Sequence, residues 1–362
     1  MTNIIYRRLQ NDDIDNVNKF YNNYHGKGRT KEQFIWEFLE SPHGPGIYVM
    51  AIDTSTNNII GIQAGIPVIM LTIEGKSLLT IKSEDSLIDV DACVAFPKKD
   101  IFKELYTYFI NQCRQSGISI IWGFTWAINS LKRIGFQIPY NAEQSILVYR
   151  SVKSYRFLSR LNPRNTMTKK MQIGLLVIVS KINTLFHEIF IHYPIKYSVT
   201  QAIRSNIDLF REICSDDNRL IFMKQDEAFL TWRLNQNPYS LKYLIFNFSV
   251  SDSIEAQIIT SINPDGQGFI EQILMKPGIS RKAQLGILKH VVNHLHMQGV
   301  ILIRMLTFYQ NKLNSRESSL LKKLGFIPIK KGMGFIYMSL DPTNKYRPEF
   351  FLLSRLYTQG HF

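Results

Sequence analysis

The sequence predicts an α+β protein made of two tandem copies of one domain, each a mixed, mostly antiparallel twisted sheet flanked by helices. Two observations predict it. Trp36-Glu-Phe38-Leu-Glu-Ser-Pro42 is echoed by Trp232-Arg-Leu234-Asn-Gln-Asn-Pro238 at an offset of 196 residues, and Ser130-Leu-Lys-Arg-Ile-Gly135-Phe136 by Leu320-Leu-Lys-Lys-Leu-Gly325-Phe326 at an offset of 190. Landmarks that recur in one order at nearly one spacing mark a duplicated domain, whereas a solenoid repeats every ~20 to 50 residues. The second observation is that the apolar period of each copy changes from helical to alternating and back.

In the first copy Ile4-Ile-Tyr-Arg-Arg8 reads as a short strand, and Asn11 caps a helix running towards Tyr24. A second helix follows Thr30, with Phe34, Ile35, Phe38 and Leu39 on one face, and Pro42-His-Gly-Pro-Gly46 stops it. Ile47 to Ile52, Ile59 to Met70 and Leu87 to Phe96 read as strands, with turns at Ser55-Thr-Asn-Asn58 and Glu74-Gly75. Ile101 to Gln115 is a helix, Ile118 to Trp122 a strand, Ala127 to Ile134 a short helix and Gln144 to Tyr149 a closing strand. The second copy repeats the order. Helices at Asn206 to Ser215 and Glu227 to Asn235 precede strands at Lys242 to Ser249, Glu255 to Ile262 and Phe269 to Met275. The long helix Lys282 to Gln298, the strand Val300 to Leu306 and the short helix Ser315 to Leu324 follow. The expected domains are residues 1–150, a basic, amphipathic helical connector over 151–197 that packs across the domain boundary, a second copy over 198–345 and a tail over 346–362.

With 362 residues, 45% of them hydrophobic and 12% aromatic, the chain has apolar material for two cores, which argues against disorder. The balance of 43 Lys plus Arg against 29 Asp plus Glu gives +14, which favours a phosphorylated cofactor, a nucleotide-linked substrate or an acidic membrane face. Nucleic acid ranks low, because zinc-finger spacing, an aromatic RNA-binding signature and a basic heptad helix are all missing. Cys93, Cys113 and Cys214 are odd in number and far apart, and Met1-Thr-Asn-Ile-Ile-Tyr-Arg-Arg lacks an apolar signal core, so a reducing cytoplasm is expected. Ile173-Gly-Leu-Leu-Val-Ile-Val179 is too short for a spanning helix, which needs about 20 apolar residues. His290 and His294 lie one turn apart on a helix, yet no third ligand or acidic motif joins them, and no metal is expected.

The order of elements, with a long helix, a strand and then a short helix closing in Leu131-Lys-Arg-Ile-Gly135-Phe136, resembles the Gcn5-related N-acetyltransferases (GNAT). Trp36-Glu-Phe38, Ile101-Phe-Lys-Glu-Leu105, Gly123-Phe124 and Asn129-Ser130, with Leu230-Thr-Trp232-Arg233 and Asn237-Pro238, look like the tandem two-domain bacterial members found with surface-polysaccharide genes. The tail Leu356-Tyr357-Thr358-Gln-Gly360-His361 looks like the ending of that group. The resemblance covers nearly the whole chain and implies two tandem GNAT-like domains. It also implies acyl transfer, from acetyl-coenzyme A or a similar thioester as co-substrate, to a small-molecule or sugar amine.

The resemblance assigns the cofactor to the first copy, along Val94, Phe96, Lys98, Lys99, Ile101 and Phe102, with Asn129 near the pantetheine. The pantetheine pairs with a splayed strand as an added strand, and the pyrophosphate rests on the amide groups that open the long helix. The loop departs from the family pattern: Pro97-Lys-Lys-Asp100 has no glycine to let the backbone approach phosphates, and places Asp100 where they would arrive. Pro277-Gly278-Ile-Ser-Arg281 in the second copy has glycines at its edges, away from the family spacing. Asp91, and beside it Asp89, are the candidate bases, Asp91 matching the family's acidic position. The bland alternative is that Glu84, Asp85, Asp89 and Asp91 edge a solvated strand. No tyrosine falls where the family keeps its thiolate acid; Tyr140 and Tyr309 read as core or rim residues. Trp36 and Trp232 read as buried under the sheet. Two further readings stay open: an inactive GNAT-fold module docking, through the basic connector and the amphipathic helix near Ile173, on a partner or an anionic membrane face, and an aminoacyl transferase using charged transfer RNA.

Overall fold

The computed structural model describes residues 4–26, 28–160, 166–190, 197–308, 312–343 and 345–357. Its elements are β1 (Ile4–Arg8), α1 (Ile14–His25), α2 (Lys31–Phe38), β2 (Ile47–Asp53), β3 (Asn58–Thr72), β4 (Ser77–Ile88), α3 (Val90–Ala95), α4 (Ile101–Gln115), β5 (Ile120–Thr125), α5 (Ile128–Arg133) and β6 (Gln137–Val148). There follow α6 (Ser151–Arg160), α7 (Met167–Phe190), β7 (Ser198–Thr200), α8 (Ile207–Ile213), β8 (Ile221–Met223), α9 (Glu227–Leu234), β9 (Lys242–Val250), β10 (Ser253–Ile262), β11 (Gln267–Met275), α10 (Arg281–Met297), β12 (Leu302–Thr307), α11 (Lys312–Lys323) and β13 (Ile327–Ser339). The chain divides into two compact units. One comprises Met1–Pro139, Thr231–Tyr239 and Gly334–Pro348, the other Tyr140–Leu230, Ser240–Met333 and Glu349–Phe362.

The sheet of the first unit runs β1, β2, β3, β4, β5 with antiparallel pairing, except that β4 and β5 are parallel; the end of β13, Gly334–Ser339, then pairs antiparallel with Thr125–Ile120 of β5. The second unit repeats the pattern with β7, β9, β10, β11 and β12, of which β11 and β12 are parallel, and its last strand is β6, with Val148–Glu143 paired to Leu302–Thr307. Each half of the sequence therefore supplies the closing strand of the other unit. The expected strand at Gln144 to Tyr149 exists but closes the second unit, because an alternating apolar segment carries no record of which edge it will join.

Local chemistry explains the helices that frame each sheet. Thr30 and Gln33 form a capping box at the start of α2. Asp100 caps α4 by accepting from the Lys103 amide at 3.1 Å, and Ile101, Leu105, Tyr106, Phe109, Ile110 and Cys113 drive its apolar face onto Ile47, Val49 and Ala51. Ser280 caps α10 in the same way, and Leu285, Leu288, Val291, Val292 and Leu295 enter the second core.

The strand expected at Leu87 to Phe96 ends at Ile88, and Val90–Ala95 is helical because the Asp89 carboxylate accepts from the Asp91 amide at 2.9 Å and starts a turn. The true strand, β4, begins at Ser77; its polar middle, Lys82 to Ser86, hides the alternation. Trp36 and Trp232 are buried, as expected, and they stack on each other within the first unit, ring centroids 4.6 Å apart and 19° from parallel. Each indole N–H donates to the other's backbone carbonyl at 3.2 Å.

Trp36→Ala removes the stack and the indole N–H that the Trp232 carbonyl accepts from, so it is expected to lower unfolding free energy by about 3 to 5 kcal/mol. Urea denaturation followed by circular dichroism checks this. A loss under about 1 kcal/mol would show that the pair is not a core contact.

Candidate active site

Both units share one geometric feature at the parallel pair. In the first, Thr80–Ser83 pairs with Ile120–Gly123, and beyond it β4 and β5 run on unpaired to each other. A side chain at Gly123 would put its Cβ 3.0 Å from the Ser83 carbonyl, so the last paired position requires the absence of one. In the second, Gln267–Ile270 pairs with Leu302–Met305, after which the two strands separate. A parallel pair that opens like this leaves one strand with free N–H and C=O groups on one side.

In the first unit the opening is filled from α4. Tyr106, 1% exposed, places its hydroxyl 2.9 Å from Ser86 Oγ and 3.3 Å from Ser83 Oγ, while Phe102 packs on its ring at 4.8 Å. Burial pushes the Tyr106 phenol above its ordinary range. The sequence-derived site residues gather around α3 and the α4 start. Asp89 is the α3 cap, Asp91 lies exposed in its first turn, Val94 is exposed and Phe96 is half-buried at its end. Lys98 and Lys99 are exposed, Ile101 is in the core, and Asp100 pairs with Arg133 at 2.7 Å. Asn129 is exposed in the first turn of α5, whose cap position is Ala127.

The second unit has space at the corresponding place. A pocket is walled by Gln272–Met275 of β11, Gln284 of α10, Glu317 and Leu320 of α11, Phe210 and Ile213 of α8, and Leu352–Ser354 with Tyr357 of the tail. It reaches the stretch of β11 just past the last β12 partner. Between β11 and α10 lie only residues 276–280, with Gly278 at φ +90, so the chain turns directly into the capped N-terminus of α10 without an inserted helix. Arg281 and Lys282 are exposed there, and Arg281 donates to Ser319 Oγ at 2.6 Å. Glu271, the β11 residue before Gln272, is buried, ion-paired with Arg355, and accepts from Ser261 Oγ at 2.5 Å. The Tyr357 hydroxyl accepts from Gln225 Nε2 at 3.3 Å, and burial raises its pKa, so the phenol stays protonated. Tyr357 and the β11 residues escaped sequence reasoning; the short loop from Met275 to Ser280 was the legible signal. Tyr309 and the end of the tail, Thr358 to His361, lie outside the described residues.

A second polar cluster lies in the first unit, where β4 bulges opposite Ile62 and Ala64. Asp85, at φ 47, accepts from Arg29 at 2.5 Å and from the Tyr48 hydroxyl at 3.0 Å. The Arg29 Nε donates to Asn18 Oδ1 at 2.8 Å and its guanidinium lies 3.8 Å from the Tyr21 ring centroid. Nearby, Lys82 pairs with Glu84, and the Tyr239 hydroxyl donates to Glu37 at 2.7 Å. Burial, with Asp85 adding repulsion, pushes the Glu37 carboxyl up to about 8.

No family model matches the sequence, and no curated protein matches it. Solved structures match the fold. A GCN5-related N-acetyltransferase from Anabaena variabilis superposes with a TM-score of 0.59 at 10% identity, covering 94% of this chain and 73% of that one. N-myristoyltransferase from Saccharomyces cerevisiae, with bound myristoyl-CoA, gives 0.57 at 12% identity over 92% of this chain and 82% of that one. A tandem GNAT protein from the clavulanic acid biosynthesis pathway gives 0.55 at 10% identity, covering 94% of this chain and 100% of that one. The fold is thus that of the GNAT acyltransferases.

Glu37 holds its proton in the folded state up to about 8, against an ordinary value of 4.5. The folded state binds more protons across that window, so the Glu37 contribution to stability falls as pH rises from about 4.5 to about 8 and is level above it. Glu37→Gln is expected to remove that slope and to gain on the wild type with rising pH. Urea titrations at pH 5 and pH 8 test it, and parallel slopes for both proteins would refute it.

Proposed function

We propose that the protein is an acyltransferase that moves an acyl group from an acyl-coenzyme A thioester to an amine, with the thioester held in the second unit's cleft. The observation that carries this reading is the pocket at the point where β11 and β12 part, walled by the helix that follows β11. The free edge of β11 from Gln272 to Met275 suits pairing with an extended pantetheine arm. The amides that open α10, with Arg281 and Lys282 beside them, suit the pyrophosphate, since a helix N-terminus carries partial positive charge. Apolar Ile213, Leu274 and Leu320 exclude water around the acyl group. Acyl transfer requires a proton for the departing sulfur, and the protonated Tyr357 hydroxyl on the pocket wall supplies a donor there.

The first unit, with its opening filled by Tyr106 and its loop replaced by α3, serves as the supporting copy in this reading. Acetyl is the simplest acyl group. The acceptor is a small amine, and an amino sugar of surface polysaccharide made in the cytoplasm is the specific candidate. The net charge of +14 suits a nucleotide-linked form of such a sugar.

Calorimetric titration with acetyl-coenzyme A tests the placement through two exposed charge reversals. Arg281→Glu with Lys282→Glu is expected to abolish micromolar binding, and Lys98→Glu with Lys99→Glu to leave it within about twofold. The reverse pattern would move the cofactor to the first unit. No heat at ~1 mM ligand, an affinity weaker than about −4 kcal/mol, would sink the enzyme reading. Tyr357→Phe is expected to lower kcat by about 10²-fold with KM for the thioester unchanged; equal turnover would remove Tyr357 from the chemistry.

A further inference from the structure

Helix α7 has two apolar faces, and the protein uses only one of them. Ile173 and Val177 pack with Ile146, Val148 and Leu302, and the hydroxyls between them are tied to β6: Val148 N–H donates to Ser180 Oγ at 3.0 Å and Thr184 Oγ1 donates to the Val148 carbonyl at 3.2 Å. On the opposite side Met171, Leu175, Ile178, Ile182 and Leu185 follow one another at helical spacing and are between 43% and 67% exposed. A soluble helix normally turns charge to water on the side away from the core, so a continuous exposed apolar stripe calls for an occupant.

The charge around the stripe identifies the occupant. Residues 150–187 contain eight Lys or Arg and no Asp or Glu. In α6, which packs beside α7, Lys153, Arg156 and Arg160 are exposed, and so is Val152. A second copy seated on this stripe would bring two such cationic segments together, which like-charge repulsion opposes. A surface that is apolar within and negative at its rim satisfies both features at once. No helix among the described residues is long and apolar enough to cross a membrane. The geometry points to α7 lying in the plane of an anionic lipid bilayer, with its outer face among the acyl chains and the basic residues of α6 against the headgroups. This lipid contact does not depend on which cleft carries acyl transfer.

Co-sedimentation of the full chain with vesicles of phosphatidylcholine containing about one-third phosphatidylglycerol tests it. Partitioning is expected to exceed that onto pure phosphatidylcholine by at least about tenfold and to weaken as salt rises. Leu175→Glu with Ile178→Glu, and separately Lys153→Glu with Arg156→Glu, are each expected to cut partitioning by about tenfold or more. All four positions are exposed, so thermal unfolding and acetyl-coenzyme A titration of the variants should match the wild type and separate lost docking from lost folding. No binding at millimolar lipid, or equal binding to neutral vesicles, would overturn the proposal. So would self-association in light scattering, without lipid, that the Leu175→Glu, Ile178→Glu variant abolishes, because the stripe would then be a seam between copies.

Discussion

Everything in this molecule depends on the exchange of closing strands. β5 and β12 are the strands reached by the parallel crossover in each unit, and each needs a further partner for its outer row of N–H and C=O groups. The end of β13 satisfies β5, and β6 satisfies β12. The burial of Trp122 and Phe335, whose rings lie 6.3 Å apart, follows from the first pairing; the cluster of Ile146, Val148 and Leu302 under α7 follows from the second. Each sheet is completed by chain from the far half of the sequence, so neither unit is finished until both halves are made, and the pairing carries the loop-closure cost of distant contacts.

Within this frame the two openings diverge by side-chain volume and loop length. The same four-residue parallel pairing precedes each opening. In the first, a buried tyrosine spends its hydroxyl on two serines and closes the gap, and an extra helix stands where the connecting loop would meet an anion. In the second, a short turn delivers β11 straight to the α10 cap, and the space remains. Duplication permits such divergence, because a fold does not by itself preserve a site.

The polar cluster of the first unit shows how a chain accommodates charge near such an opening. Asp85 sits in a left-handed bulge that acidic side chains tolerate better than most, and its carboxylate is held by Arg29 and Tyr48. A buried pair of this kind is weak evidence for added stability, since desolvation offsets much of the attraction. It does specify geometry, because breaking either partner leaves a bare charge. Glu37 resolves the same problem by keeping its proton and accepting from Tyr239.

The sequence by itself determined the duplication, the α+β class and most elements, because capping residues and apolar periods act over a few neighbours. The start of α2 after Thr30 and the extents of α4 and α10 were readable for that reason. The stretch from Ser77 to Ala95 was misread where polar residues interrupt a strand and an apolar Val-Asp-Ala-Cys-Val run imitates one. Tertiary structure alone decided which sheet each closing strand joins, that Trp36 meets Trp232 rather than lying beneath its own copy, and that a pocket lies where β11 leaves β12. Those outcomes rest on pairing and packing between residues far apart in the chain. Strand edges accept any segment of suitable pattern, and a cavity is defined by what fails to fill it; neither leaves a local mark in the amino acids.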